Sequence, residues 1–124
     1  MNSSTNFKMI GNIAVTRLTG EYSWERVVQL MITAICDARD QHIKNLMIVV
    51  TEATGFQPPS LMMRYRFIHE MVEASGRVVR IAIVVRSEMI DPQKFGVTVA
   101  ANEGVKGEIF ESEDEALQWL RSLK

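Results

Sequence analysis

The residues able to do chemistry are few and scattered. Two histidines, His42 and His69, stand 27 positions apart. A metal site needs several ligands in convergent geometry, and no His-x-x-x-His or Cys-x-x-Cys spacing occurs. Neither a metal nor a cofactor is therefore expected. Cys36 is the single cysteine. It falls toward the C-terminal end of a predicted helix, whose partial negative charge disfavours a thiolate, so it reads as a core or half-buried thiol. Gly104-Val105-Lys106-Gly107 is too short for a phosphate loop, and no Gly-x-Gly-x-x-Gly or Gly-x-Ser-x-Gly appears. Glu52 and Asp91 fall near strand ends, where open α/β sheets bind ligands. Asp91-Pro92, however, is fully accounted for as a helix cap and first-turn proline. The expectation is binding without catalysis.

The elements that must position any site follow from periodicity. Phe7 to Leu18 reads as a hairpin around Gly11-Asn12, a pair suited to a type II′ turn, with Gly20 breaking the second strand. Ser23 is a candidate N-cap. Trp24, Val27, Val28, Met31, Ile32 and Ile35 recur at helical spacing, and the pattern fades over Asp37 to Asn45. Leu46–Val50 is a continuous apolar run, as in a strand buried on both faces. A loop over Thr51–Ser60 follows, punctuated by Gly55 and Pro58-Pro59. Leu61 to Ser75 is a helix, with Pro59 in its first turn and Gly76 closing it. Val78 to Val85 is the next strand. A weak helix runs from Asp91 to about Asn102, rich in the poor helix formers of Gly96-Val97-Thr98-Val99. Glu108 to Phe110 is a short edge strand. Ser112 with Glu115 is a capping box opening a last helix marked by Leu117, Leu120 and Leu123. Alternating strands and helices predict a mainly parallel sheet of four to five strands.

Bulk numbers bound the rest. A length of 124 residues, 47% hydrophobic and 23% charged, fits one domain over residues 1–124. A net charge of −1 offers no field for nucleic acid. From Glu103 to Lys124 there are six acidic and three basic residues, which reads as a solvated helix face. The longest apolar runs are five residues, far below the ~20 of a membrane span. Met1 to Asn6 lacks the character of a signal peptide, so a cytoplasmic protein is expected.

The element order resembles the STAS fold of bacterial anti-sigma-factor antagonists. Thr16-Arg17-Leu18-Thr19-Gly20 looks like that family's first strand, and Phe110-Glu111-Ser112-Glu113-Asp114-Glu115-Ala116-Leu117 is similar to its closing helix start. A closer resemblance is to the SpoIIAA-like group of small bacterial proteins, related to STAS and distantly to CRAL-TRIO lipid-transfer domains. It is carried by Thr54-Gly55-Phe56-Gln57-Pro58-Pro59-Ser60-Leu61, by Arg64-Tyr65, and by the run from Asp91-Pro92-Gln93-Lys94-Phe95-Gly96 to Val97-Thr98-Val99-Ala100-Ala101-Asn102. The match spans about Ile13 to the C-terminus. It implies a regulatory or scaffolding module acting through protein contacts. One departure is sharp: where the antagonists carry an Asp-Ser-Ser-Gly loop with a phosphorylated serine, this chain reads Gln57-Pro58-Pro59-Ser60. Ser60 aligns with the glycine, so the phospho-switch does not carry over.

The Leu61–Ser75 helix is unusual. Leu61, Tyr65, Ile68 and Val72 cluster on one side, and Met71, Phe67, Ala74 and Met63 widen the apolar arc to about 200°, beyond the usual ~100° stripe. Arg64 interrupts it. The wide arc fits either a helix clamped between the sheet and a neighbouring helix or one whose Met63, Phe67 and Met71 face a second hydrophobic surface; on the second reading, together with the family's use of the region, the expected binding residues are Phe56, Ser60, Met63, Arg64, Phe67 and Met71. The simplest partner is a second copy in a homodimer, beside an unidentified protein partner. The alternative is a carrier or sensor of a small apolar ligand or lipid held under the helix, with Arg64 and Arg66 facing an acidic head group.

Overall fold

The computed structural model describes residues 5–90 and 100–123. Five strands form one sheet in the order β1 (Lys8–Ile10), β2 (Ile13–Glu21), β3 (Asn45–Thr54), β4 (Arg80–Val84) and β5 (Gly107–Phe110). Only the β1–β2 pair is antiparallel; β2 through β5 run parallel. The α/β, mainly parallel architecture matches expectation. The sheet is framed by the helices α1 (Trp24–Asp40), α2 (Leu61–Ser75) and α3 (Glu113–Ser122), with a short 3₁₀ turn at Ser87–Met89. Most of the expected Asp91–Asn102 helix lies outside the described residues; residues 100–102 are helical.

Strand alternation divides the core in two. Leu46, Ile48, Val50, Ile81 and Ile83 point to the face packed by α1 and α2. Ile13, Val15, Met47, Val49, Ala82 and Val84 point to the face packed by Ala116 and Leu120 of α3. A strand with both faces covered must be apolar at every position, which is why Leu46–Val50 shows no alternation. Each such side chain stabilises the fold by roughly 1.5–3 kcal/mol through burial.

Local chemistry sets the boundaries. Gly11 takes φ 60° while Asn12 is absent from the positive-φ residues, as a type II′ turn requires. The Ser23 Oγ accepts from the Arg26 amide at 3.2 Å, opening α1. The helix continues past its apolar stripe to Asp40. There the Ile43 amide donates to the Ala38 carbonyl at 2.8 Å and the His42 amide to the Arg39 carbonyl at 3.1 Å, a Schellman closure. His42 occupies the left-handed position, at φ 60°. In α3, the Ser112 Oγ accepts from the Glu115 amide at 3.3 Å.

Two boundaries differ from expectation for one reason. Gly20 does not end β2: a bulge between Arg17 and Thr19 shifts the register, and the strand goes on to pair Gly20 with Ala53 and Glu21 with Thr54. The same pairing carries β3 four residues past Val50, through polar Thr51, Glu52 and Thr54. Hydrophobic patterning sees burial, and these residues are in the sheet by backbone pairing instead. Pro59 also stands ahead of the Ser60 cap rather than in the first turn of α2.

Candidate functional site

The loops after β2 and β3 meet at the carboxyl end of the parallel strands. The Tyr22 amide donates to the Thr54 carbonyl at 2.7 Å, closing the two chains together. Gly55 then turns at φ 95°, where an added Cβ would lie 2.8 Å from Glu21 Cγ and 2.9 Å from the Tyr22 carbonyl oxygen. No side chain fits there. Phe56, one residue on, is half-buried against Trp24 with ring centroids 6.0 Å apart, and Trp24 meets Phe67 edge-on at 6.2 Å. Pro59 is buried, and its carbonyl accepts from Arg64 Nε at 3.2 Å. The Ser60 hydroxyl caps α2, accepting from the Met63 amide at 3.2 Å. The loop is thus tied down on both sides, and Ser60 and Arg64 each have a structural task in it.

Burial along α2 changes with position along the axis, not only around it. All six buried residues, Phe67, Ile68, Met71, Val72, Ala74 and Ser75, lie from Phe67 onward. Leu61 is 61% exposed, Met62 68% and Tyr65 41%. The Tyr65 ring meets His69 edge-on at 4.5 Å. Phe67 and Met71 do not face a second hydrophobic surface: both belong to the core beneath α2, as in the reading of a helix clamped against its neighbours. Met63 and Arg64 are half-buried. The apolar surface that α2 does expose is its first two turns, and Leu61, Met62 and Tyr65 were not among the expected binding residues. Periodicity grouped Leu61 and Tyr65 with the buried Ile68 and Val72 because a helical wheel has no axial coordinate.

Beneath α2 is a cavity of about 90 Å³. Trp24, Pro59, Phe67, Met71 and Ile83 line it, with Arg64 and Glu108 the charged side chains among the described lining. Phe67, Met71 and Arg64 thus share one cavity wall, while Phe56 and Ser60 belong to the loop above it.

The other reactive side chains stand apart. His42 is exposed at the end of α1, and Cys36 is half-buried against the core. Among the described residues no three His, Cys, Asp or Glu side chains gather as metal ligands would. Asp91 lies outside the described residues. Glu52 of β3 joins an ion cluster around Arg17 of β2: Arg17 lies 3.5 Å from it and forms a two-pronged pair with Glu113 of α3 at 2.8 Å per contact. The hydrogen bonds from Arg17 hold the Glu113 carboxyl below its ordinary pKa. This pair fastens the first turn of α3 to the sheet.

No family model matches the chain, and no curated protein matches it closely. Solved structures do. An anti-sigma factor antagonist from Mycobacterium paratuberculosis superposes with a TM-score of 0.60 at 14% identity, covering 96% of this chain and 94% of its own. A proposed anti-sigma factor antagonist from Thermotoga maritima gives 0.55 at 15% identity, covering 94% of each chain. At such identity the likeness speaks for architecture, and with the parallel β2–β5 sheet, the antiparallel β1 and the helix order it establishes that this chain has the STAS fold of the anti-sigma factor antagonists.

Proposed function

We propose that the chain is a non-catalytic regulatory or scaffolding module of a bacterial cytoplasm, acting through protein contacts made by the loop Thr54–Ser60 and the first two turns of α2. One observation carries this. Leu61, Met62 and Tyr65 expose apolar surface together on a helix whose loop is rigidly anchored. Clustered exposed apolar side chains mark interaction surfaces, and methionine adapts to varied partners. A rigid loop lowers the ordering cost of binding. The fold shared with anti-sigma factor antagonists supports a protein partner, with a second copy of this chain the simplest one. Ser60 serves as a helix cap in this reading, and the missing Asp-Ser-Ser-Gly motif separates the module from the phospho-switch.

The test is Leu61→Asp with Met62→Asp. Both sites are exposed, so circular dichroism and Tm should stay unchanged. Native mass spectrometry over a concentration series should show a dimer for the parent and a monomer for the variant, or pull-downs should lose a partner that the parent retains. If the variant changes neither the oligomeric state nor any captured partner, the reading fails. The carrier of an apolar ligand ranks second, because about 90 Å³ under α2 falls well below the ~300 Å³ at which small-molecule pockets begin.

A further inference from the structure

The cavity under α2 owes its space to one residue. Gly107 of β5 lines it and is the register partner of Ile81. Ile81 and Ile109, the next residue on the same side of β5, both pack into the core beneath α2, so strand alternation asks for an apolar side chain at 107 as well. The usual reasons for glycine are missing. Gly107 does not belong to the glycines at positive φ. An added Cβ would meet the Ile81 carbonyl oxygen at 3.7 Å and Met71 Cε at 3.8 Å, both ordinary contacts. Glycine inside a strand forgoes burial and chain entropy, and it often marks a place that another group approaches closely. Here it leaves about 90 Å³ open where a core side chain would stand.

Size and charge define the occupant. An apolar cavity of about 150 Å³ takes up one benzene, and this smaller one is on the scale of a single aliphatic side chain. Leu61 lines it too, which joins the cavity to the exposed turns of α2. Arg64 stands in the same lining. Its Nε donates to the Pro59 carbonyl at 3.2 Å, which holds the guanidinium in place, and its terminal N–H groups have no acceptor among the described residues. From Thr54 to Ile68 the chain carries Arg64 and Arg66 and no carboxylate. Glu108, the carboxylate of the described lining, alternates to the other face of the sheet from Gly107, and its Oε1 accepts the Ile109 amide at 2.9 Å. A guanidinium fork beside an apolar pocket suits a carboxylate next to an apolar anchor.

We propose that the protein partner of this surface presents an acidic segment that inserts one aliphatic side chain beside Gly107, with Arg64 and Arg66 pairing its flanking carboxylates. The proposal rests on the protein-contact reading and adds to it what the partner must carry.

The probe is a phage-displayed library of random peptides, panned against the full chain. Enriched peptides should share one Leu, Ile, Val or Met with Asp or Glu beside it. The synthesised consensus peptide should bind the parent with Kd at or below about 100 μM by fluorescence anisotropy. Gly107→Val fills the cavity from its floor without touching the α2 surface, and Gly107→Ala does so more gently should valine disturb the fold. Either should keep Tm at or above that of the parent and weaken the peptide at least about tenfold. Arg64→Gln should weaken it as well and reduce its dependence on salt. No enriched consensus, a consensus without acidic residues, or equal affinity in the folded Gly107 variants overturns the proposal. In that last case, binding lost in Leu61→Asp with Met62→Asp leaves the protein-contact reading standing, and binding unchanged there sinks both.

Discussion

Met71→Ala and Leu61→Ala should differ by far more than their chemistry. Both residues lie on the apolar arc of α2, yet Met71 is 2% exposed and Leu61 is 61% exposed. Truncating Met71 removes three heavy atoms from the wall of the cavity under α2, leaving about 70 Å³ of new void. At about 24 cal/mol per Å³ that costs about 1.7 kcal/mol. The lost transfer of the buried atoms adds about 1.5 kcal/mol, for a total of about 3 kcal/mol. With 124 residues and about 2.1 cal/mol/K per residue, the unfolding entropy is about 0.26 kcal/mol/K, so Tm should fall by about 12 °C. Leu61→Ala should move Tm by less than about 2 °C, within the ±0.5 kcal/mol usual for surface changes. Differential scanning calorimetry of the two variants beside the parent measures both. A shift under about 4 °C for Met71→Ala, or one as large for Leu61→Ala, would refute the axial burial of α2.

Further outcomes follow from single contacts. Gly55→Ala places a Cβ 2.8–2.9 Å from Glu21 and the Tyr22 carbonyl at φ 95°, and should destabilise by about 2 kcal/mol or more in urea unfolding. His42→Gly relieves the left-handed strain at the end of α1 and should stabilise by roughly 1 kcal/mol, read as a higher urea midpoint at constant m. Glu113 has its pKa lowered in the folded state by Arg17. Its contribution is thus fully present above the unfolded carboxylate pKa of about 4.3 and is lost as pH falls through the lower folded value. Since the pair is 39% and 40% exposed, Arg17→Ala should cost less than about 1 kcal/mol at neutral pH and should flatten the acid limb of the stability–pH curve, measured by denaturation at stepped pH.

Much of this protein is a local affair, and so is readable from the order of residues. Ser23, Ser60 and Ser112 cap helices because a short hydroxyl reaches an amide two or three residues on, whatever the rest of the chain does. Gly11-Asn12 turns a hairpin through glycine's freedom at positive φ. The unbroken apolar runs at Leu46–Val50 and Ile81–Val85 announce strands covered on both faces, and their alternation with helices determines a mainly parallel sheet. The absence of phosphate-loop and metal-ligand spacings is equally a property of the sequence.

What only tertiary structure decided has non-local causes. The reach of β2 to Glu21 and of β3 to Thr54 depends on each strand finding the other across a bulge, with no apolar signal in Glu52 or Thr54. The expected binding residues on α2 were assigned by angle around the helix, but exposure there changes along its axis. Phe67 and Met71 went to the core and Leu61 and Met62 to the surface for that reason. Periodicity records which side of an element a residue occupies; the sheet register and the packing of its neighbours determine what that side meets.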